Sequence, residues 1–189
     1  MAIRRLRDLP RDRGGVAALE FGLTLPLLCA MVFSLYEVSQ GVICYMKVTD
    51  VANTVSDLVA QTTSSAGGVG NTDFDNLYIA GKLVMTPNSG SGLKLAIASV
   101  TFNSTGGSPT VAWHAERGGA SAQTDAATNA AGLGSANGSV IAVRATYTYS
   151  SLLNYFITSP ITINAQVFAQ PRQLAQIPCP PPSSAQSCG

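Results

Sequence analysis

The sequence predicts an α+β fold in which a long N-terminal helix and a second helix pack on an antiparallel sheet of about four strands. The first observation is an uncharged apolar run, residues 21–36, that passes into a segment with apolar residues at helical spacing. The second is another block of helical spacing at residues 74–85. The third is a set of alternating segments between residues 93 and 169, separated by glycine, serine and asparagine. Helices followed by a run of strands are typical of the α+β class.

Charge is scarce and unevenly placed. Charged residues make up 11% of the 189-residue chain, against about 25% in an average soluble domain. Residues 1–15 carry five arginines and two aspartates, a net charge of +3, whereas residues 16–46 carry only Glu20 and Glu37. Residues 47–189 carry six basic and six acidic residues. A neutral remainder without a basic stripe argues against nucleic-acid binding, and four cysteines are too few for a disulfide scaffold.

The apolar run predicts a membrane helix. Its sixteen uncharged residues are slightly fewer than the ~20 that span a bilayer, but the segment from Val16 to Tyr36 has twenty-one residues with one glutamate inside. The arginines precede it, so the positive-inside rule places residues 1–15 in the cytoplasm and the domain outside. We assign residues 16–46 to the transmembrane helix.

Two cleavable signals compete with this interpretation. A secretory signal needs an A-x-A-like site, and none is present near residues 29–40. A lipoprotein signal needs a small residue before the lipidated cysteine, and Leu28 precedes Cys29. A plain membrane anchor remains open, although it does not explain why Glu20 stands in an apolar helix.

The helix is expected to continue beyond the membrane. Apolar residues at 48, 51, 52, 55, 58 and 59 form a stripe with a period of 3.6 residues, so residues 47–63 continue the helix as an amphipathic segment. One helix over residues 16–61 would be about 70 Å long at 1.5 Å per residue. Pro26 is expected to kink it or to release one backbone hydrogen bond.

Residues 64–175 are assigned to a globular domain. Thr72 or Asp73 is expected to cap a second helix that ends near Met85. Strands are predicted at residues 93–102, 110–116, 140–149 and 161–169, with a short helix near 122–130. The last segment, residues 176–189, is a tail rich in proline and serine.

No residue pattern in the chain predicts catalysis, a cofactor or a metal. His114 is the single histidine, and no nucleophile motif accompanies it. The spacing of Asn71, Asp73 and Asp75 resembles a calcium loop, but the glycine and the closing glutamate of such loops are missing, and helix capping explains these residues better. We therefore expect a protein that is not an enzyme.

Cys179 and Cys188 flank eight residues of the tail, which would lie outside the cytoplasm. A disulfide between them would close a short loop and stabilise it by about 2–3 kcal/mol on the loop-entropy account. The alternative is two free thiols in a disordered tail.

The residues before Glu20 resemble the processing site of type IV prepilins. In that site a basic leader ends in glycine and glutamate is the fifth residue after the cut. Cleavage between Gly15 and Val16 would give Glu20 that position and create an α-amino group on Val16. That amine and the Glu20 carboxylate of a neighbouring subunit could neutralise each other in an apolar filament, which would set the axial register between subunits.

A longer block resembles the N-terminal segment of TadE-like proteins of the tight-adherence (Tad, Flp) pilus system. The matching features are Arg13-Gly14-Gly15, Ala18-Leu19-Glu20, Leu25-Pro26, Glu37 and the amphipathic continuation to residue 59. Residues 147–153 are similar to the V-x-Y-x-Y-x-P-L element of that family, with Ser151 where proline is usual, and residues 169–172 resemble its closing M-x-P-R.

The resemblance implies a pilin-like minor pilin or pseudopilin in the bacterial inner membrane, with its C-terminal domain in the periplasm and a place in the pilus after processing. It also implies a set of partners: a prepilin peptidase, other minor pilins, the major Flp pilin, the Tad inner-membrane assembly platform and the lipid bilayer, with no nucleic acid. The alternative is a membrane-anchored periplasmic binding or adhesion domain that is neither processed nor incorporated in a pilus.

Overall fold

A helix of 47 residues, α1 (Gly14–Ala60), is the largest element of the protein. The structure is a computed structural model that describes residues 14–63, 68–105, 109–151, 153 and 157–179. The other elements are α2 (Asn71–Val84), a 3-10 turn (Gly90–Gly92), β1 (Leu93–Phe102), β2 (Pro109–Arg117), α3 (Ala126–Asn129), β3 (Ser139–Tyr149) and β4 (Ile161–Ala169). The predicted α+β fold, with a long apolar helix, another helix and four strands, is confirmed.

The four strands form one antiparallel sheet in the order β2-β1-β3-β4. Ile97 at the centre of β1 lies opposite Ala115 of β2 and Val143 of β3. The register between β1 and β2 shifts between Ser99 and Val100. Strands β1 and β4 have the predicted bounds, while β2 is one residue longer than predicted at each end.

The main core lies between the sheet and the helices. The second half of α1 and the buried side of α2 cover one face of the sheet. Five of the six residues in the predicted stripe of α1 are buried, and the sixth, Leu58, is 44% exposed. The helix also buries Glu37, Cys44, Ser56 and Ala60. Successive helical residues turn by about 100° around the axis. The buried side of α1 shifts toward Ser56 and Ala60 near its end, and Leu58 falls outside it.

The opposite face of the sheet is also covered, a feature that no pattern in the sequence predicts. Small residues of α3 pack there with the outward side chains of β1 and β3; the cluster is Ala98, Val100, Phe102, Ala126, Ala130, Val140 and Ala142. The buried Gln123 attaches the segment before α3 to the sheet, because its amide donates hydrogen bonds to the carbonyls of Ala96 (2.7 Å) and Ala142 (3.2 Å). The sheet is therefore the middle of three layers.

The last described residues pack on the domain. The buried indole N–H of Trp113 donates a 2.8 Å hydrogen bond to the carbonyl of Ile177, and the N–H of Val69 donates to the carbonyl of Pro178 at 3.1 Å. Trp113 also contacts Phe74 of α2, with ring centroids 5.5 Å apart. Ile177 and Pro178, at the beginning of the predicted tail, therefore pack against one end of the main core.

Candidate functional site

Most side chains in the first half of α1 are exposed. Its large apolar side chains are exposed, including Leu19, Phe21, Leu23, Leu27, Leu28, Met31, Val32, Phe33 and Leu35. Within the described residues, one helix is long and apolar enough to cross a membrane. Such a surface needs lipid or other helices to cover it, because a contiguous apolar area of this size is unfavourable in water.

Glu20 lies on this exposed surface, one turn after Val16. Its side chain has no hydrogen bond or ion pair with any described residue, although its backbone carbonyl accepts a 3.0 Å bond from the Thr24 hydroxyl. Gly15 and Val16 form part of the first turn of α1. The predicted cleavage site and the predicted register residue therefore share one exposed helical segment with a free carboxylate.

Pro26 lies inside α1, and the helix continues through it. Because proline has no N–H, the carbonyl of Gly22 loses its usual helical partner. Pro26 also lines an apolar cavity of about 360 Å³ with Cys29, Ala30, Phe33 and Leu153. Leu153 belongs to the connection between β3 and β4, so this part of the helix is not entirely free of the domain.

Glu37 has the opposite environment to Glu20, since only 1% of its surface is exposed. Its Oε1 accepts a 2.7 Å hydrogen bond from the Ser151 hydroxyl, and its Oε2 accepts a 3.1 Å bond from the backbone N–H of Ile157. Both donors come from the β3–β4 connection. A buried carboxylate with charge-assisted hydrogen bonds is a strong attachment between distant parts of a chain.

Tyr149 lies beside this attachment at the end of β3. A Cβ at Gly41 would stand 3.9 Å from its ring, so the helix and the strand end are close together here. Burial raises the pKa of the Tyr149 phenol, and the neighbouring Cys44 and Glu37 add to the rise. The phenol therefore stays neutral well into the alkaline range.

Glu20, Pro26 and Glu37 lie in one segment of the chain that is shared with a known family. Residues 15–57 match the TadE-like protein family. The match begins at the glycine of the predicted cleavage site and includes both glutamates. It associates the protein with the Tad pilus as a component with an N-terminal apolar helix. No curated protein and no solved structure gives a significant match to the chain.

The end of the TadE-like segment is tied to the domain at two places. The ammonium group of Lys47 donates hydrogen bonds to the carbonyls of Thr86 and Val84 at the C-terminal end of α2. The backbone N–H of Arg172 donates to the carbonyl of Ala60 at 3.0 Å, and its guanidinium pairs with Asp57 at 2.9 Å. Positive charge at a helix C-terminus also complements the helix dipole. Arg172 belongs to the element that resembles the M-x-P-R of TadE-like proteins.

Glu37 attaches α1 to the β3–β4 connection, a role that no sequence pattern predicted. The residue was noted only as one of the features that resemble TadE-like proteins. A signal was present, because a lone acidic residue at the end of an uncharged run needs a partner. The partner itself was not visible, since Ser151 lies 114 residues away.

The other polar residues singled out in the sequence have structural contacts. Asp73 accepts a 2.9 Å hydrogen bond from the N–H of Gly70, so it caps α2 from inside the first turn and not from the capping position. Asp75 pairs with Arg117 at 2.6 Å, and Asn71 Oδ1 accepts from the same guanidinium at 2.8 Å. His114 lies in β2, with Nδ1 2.8 Å from Glu116.

The cysteines of the protein differ in environment. Cys29 is exposed on the apolar half of α1 and Cys44 is buried, and both are free. Cys179 is disulfide-bonded. Cys188, the partner predicted from the sequence, lies outside the described residues, so the pairing of Cys179 with Cys188 stays a prediction.

A polar cavity of about 510 Å³ lies on the face of the sheet away from α1. Its charged and polar walls include Lys94, Asp125, Arg144, Asn164 and Gln166. The Arg144 guanidinium bonds to Asp125 and lowers the pKa of that carboxyl. The cavity and the TadE-like segment thus lie on opposite faces of the sheet.

Proposed function

We propose that this protein is a minor pilin or pseudopilin of the Tad (Flp) pilus, held in the inner membrane by the first half of α1. The observation that carries the proposal is Glu20, five residues after Gly15 on an exposed apolar helix, within the segment that matches TadE-like proteins. Among the described residues, its side chain has no hydrogen-bond or ion-pair partner. The exposed apolar surface supports both a membrane stage and a stage in which other pilin helices replace the lipid.

The charge of Glu20 favours a partner over a plain anchor. A carboxylate costs roughly 2.5–3.5 kcal/mol at the centre of a bilayer on insertion scales, and less near its surface. Cleavage after Gly15 by a prepilin peptidase would place a positive α-amine on Val16. Neutralisation of Glu20 by that amine of a neighbouring subunit would offset the cost and would fix the axial offset between subunits.

The proposed orientation follows from charge. The five arginines before Gly15 favour a cytoplasmic N-terminus, which places the domain in the periplasm. In this orientation the TadE-like helix meets the Tad assembly platform, other minor pilins and the major Flp pilin in the plane of the membrane. Removal of residues 1–15 changes the formal side-chain charge from +1 to −2, because that segment carries +3.

The proposal is tested by sequencing the N-terminus of the protein from membranes and from sheared pili. We expect Val16 as the first residue in both fractions. Recovery of an intact leader in every fraction, with normal pilus display, would overturn the proposed processing and support a plain anchor.

Substitution of Glu20 tests the register role. Glu20→Gln and Glu20→Ala are expected to leave the protein in the membrane and to reduce pilus display severalfold, since neither side chain can neutralise an amine. Thr24→Ala, one turn further along the same exposed surface, is the matched control and is expected to assemble normally. Equal display for all three variants would contradict the role.

A second candidate is a membrane-anchored periplasmic binding domain. The observation that favours it is the polar cavity of about 510 Å³ lined by Lys94 and Arg144. This candidate predicts that an intact leader and a Glu20→Ala substitution leave function unchanged, whereas Arg144→Ala abolishes ligand or surface binding.

A further inference from the structure

The face of the sheet away from α1 is divided into two halves. In one half, α3 covers the outward side chains of residues 98–102 of β1 and 140–142 of β3. The other half carries polar side chains, and these form the floor of the cavity of about 510 Å³. Residues 119–121, which follow β2, line the cavity as well. Three adjacent strands, β1, β3 and β4, therefore present side chains to one polar space.

The strand register sets the spacing of the positive side chains on this floor. Lys94 of β1 lies opposite Thr146 of β3, and Ala96 lies opposite Arg144. Lys94 and Arg144 are therefore diagonal neighbours on adjacent strands, with Cα atoms about 7–8 Å apart. The small side chain of Ala96 leaves room beside the Arg144 guanidinium. Two positive charges thus border the same space.

The amide side chains of the cavity are held in place by hydrogen bonds. Oδ1 of Asn164 accepts a 2.7 Å bond from the Thr146 hydroxyl, and Gln166 is bonded through its amide oxygen at 3.2 Å and its amide nitrogen at 3.0 Å. Among the described residues, the Lys94 ammonium and the amide nitrogen of Asn164 have no acceptor. The cavity therefore has a fixed floor with donors that remain available to a ligand.

Asp125 balances only one of the two positive charges. Its Oδ2 accepts a 2.5 Å hydrogen bond from the Arg144 guanidinium. That bond lowers the pKa of the Asp125 carboxyl, so the group is ionised at neutral pH. Lys94 and Arg144 contribute +2 and Asp125 contributes −1, which gives the lining side chains a net charge of +1. Residues 47–189 as a whole are neutral, so the positive charge is local to the cavity.

We propose that this cavity binds a carboxylate group, which lies between Lys94 and Arg144 and accepts a further hydrogen bond from the Asn164 amide. Both cations can donate charge-assisted hydrogen bonds to such a group. A net charge of +1 matches one carboxylate, whereas Asp125 would repel the second negative charge of a phosphate monoester. The described residues that line the cavity include no aromatic or large aliphatic side chain, so an apolar ligand has nothing to pack against.

The carboxylate site goes beyond the pilin proposal and, for the second candidate function, names the ligand. The cavity lies on the opposite face of the sheet from α1, so a processed pilin and a plain anchor would both carry it. The carboxylate can belong to a free organic acid or to an acidic side chain of a peptide, since both present the same group to Lys94 and Arg144. The test therefore includes one probe for each source.

The test is NMR spectroscopy of the full-length protein in detergent micelles, following the Nε resonance of Arg144 and the side-chain amide resonances of Asn164. The probes are propionate and a blocked tripeptide with a central glutamate; their neutral counterparts are propionamide and the same tripeptide with glutamine. We expect saturable shifts with a carboxylate probe and none with its neutral counterpart. Shifts with the tripeptide alone would assign the carboxylate to a peptide. No saturable shift with either carboxylate, equal shifts with the neutral counterparts, or tighter binding of inorganic phosphate would overturn the proposal.

Three variants locate the bound carboxylate. Lys94→Gln should weaken its binding roughly fivefold, the upper end for an exposed ion pair, whereas Lys94→Arg should keep it. Lys82→Gln is the matched control, because it removes the same charge from an exposed lysine of α2. Equal affinity of Lys94→Gln and Lys82→Gln for the carboxylate probe would place the binding elsewhere and overturn the proposal. The measurement is made on protein outside the pilus, so a negative result leaves the proposed processing and the register role of Glu20 unaffected.

Discussion

The buried carboxylate of Glu37 accepts a 2.7 Å hydrogen bond from the hydroxyl of Ser151, which lies 114 residues further along the chain. This bond joins the long helix to the connection that follows β3. It lies where the exposed apolar half of α1 meets the half that packs on the sheet. The position of the domain relative to the apolar half of α1 therefore depends on a polar contact as well as on the apolar core.

Loss of the Ser151 hydroxyl is expected to destabilise the protein. A hydrogen bond to a charged group contributes about 1.5–3 kcal/mol, so Ser151→Ala should lower the free energy of unfolding by about that amount. The measurement is urea unfolding in detergent, followed by the fluorescence of the buried Trp113. Ser121→Ala, at an exposed serine, is the control and should change stability by less than about 0.5 kcal/mol. Equal stability of the two variants would contradict the attachment.

Two adjacent glycines are expected to respond differently to substitution. Gly118 and Gly119 both have positive φ, at 68° and 73°. A Cβ on Gly118 would stand 2.3 Å from the carbonyl oxygen of Leu93, whereas a Cβ on Gly119 meets nothing within 4 Å. Gly119→Ala should therefore cost only the backbone strain of about 1–2 kcal/mol. Gly118→Ala should cost about 1–3 kcal/mol more, because the carbonyl must move.

The larger effect expected at Gly118 has a structural cause. The hydroxyl of Tyr78 donates a 3.0 Å hydrogen bond to the carbonyl of Leu93, at the place that a Cβ on Gly118 would crowd. Thermal unfolding monitored by circular dichroism gives the stability difference. A midpoint for Gly118→Ala equal to that of Gly119→Ala would contradict the close packing of this turn.

Alkaline pH is expected to weaken the fold through Tyr149. Burial raises the pKa of this phenol in the folded state above its unfolded value of about 10. The folded protein then holds this proton more tightly than the unfolded chain, so the contribution of Tyr149 to stability is fully present below about pH 10 and is lost as the pH rises through the folded pKa. Tyr149→Phe should reduce this fall, which urea titrations between about pH 8 and 11 would measure. An unchanged pH dependence in Tyr149→Phe would contradict the shift.

A disulfide between Cys179 and Cys188 is expected in the exported protein. Under denaturing conditions without reductant, alkylation should modify only Cys29 and Cys44, the two free thiols of the described residues. After reduction it should modify all four cysteines. Mass spectrometry of the peptides that contain residues 179 and 188 identifies the linkage. Alkylation of both cysteines before reduction would refute the pairing.

The sequence alone predicted most elements of secondary structure and their order. Periodicity is local, so the strands at Leu93–Phe102 and Ile161–Ala169 and the end of α1 near Ala60 could be placed from a few neighbouring residues. The membrane candidate and the position of Glu20 relative to Gly15 are likewise features of contiguous sequence. The match of residues 15–57 to TadE-like proteins confirms that this segment carries the recognisable part of the protein.

The tertiary structure alone decided which of the two glutamates in α1 is buried. Both stand in apolar surroundings in the sequence, but Glu37 meets donors from a distant connection, whereas Glu20 meets none among the described residues. The packing of α3 on the second face of the sheet could also not be predicted, because its alanines show no hydrophobic periodicity. The nearby Gln123 attaches this segment to the sheet by a hydrogen bond to the carbonyl of Ala96. Burial of a polar group depends on partners far away in the chain, and local sequence patterns do not contain that information.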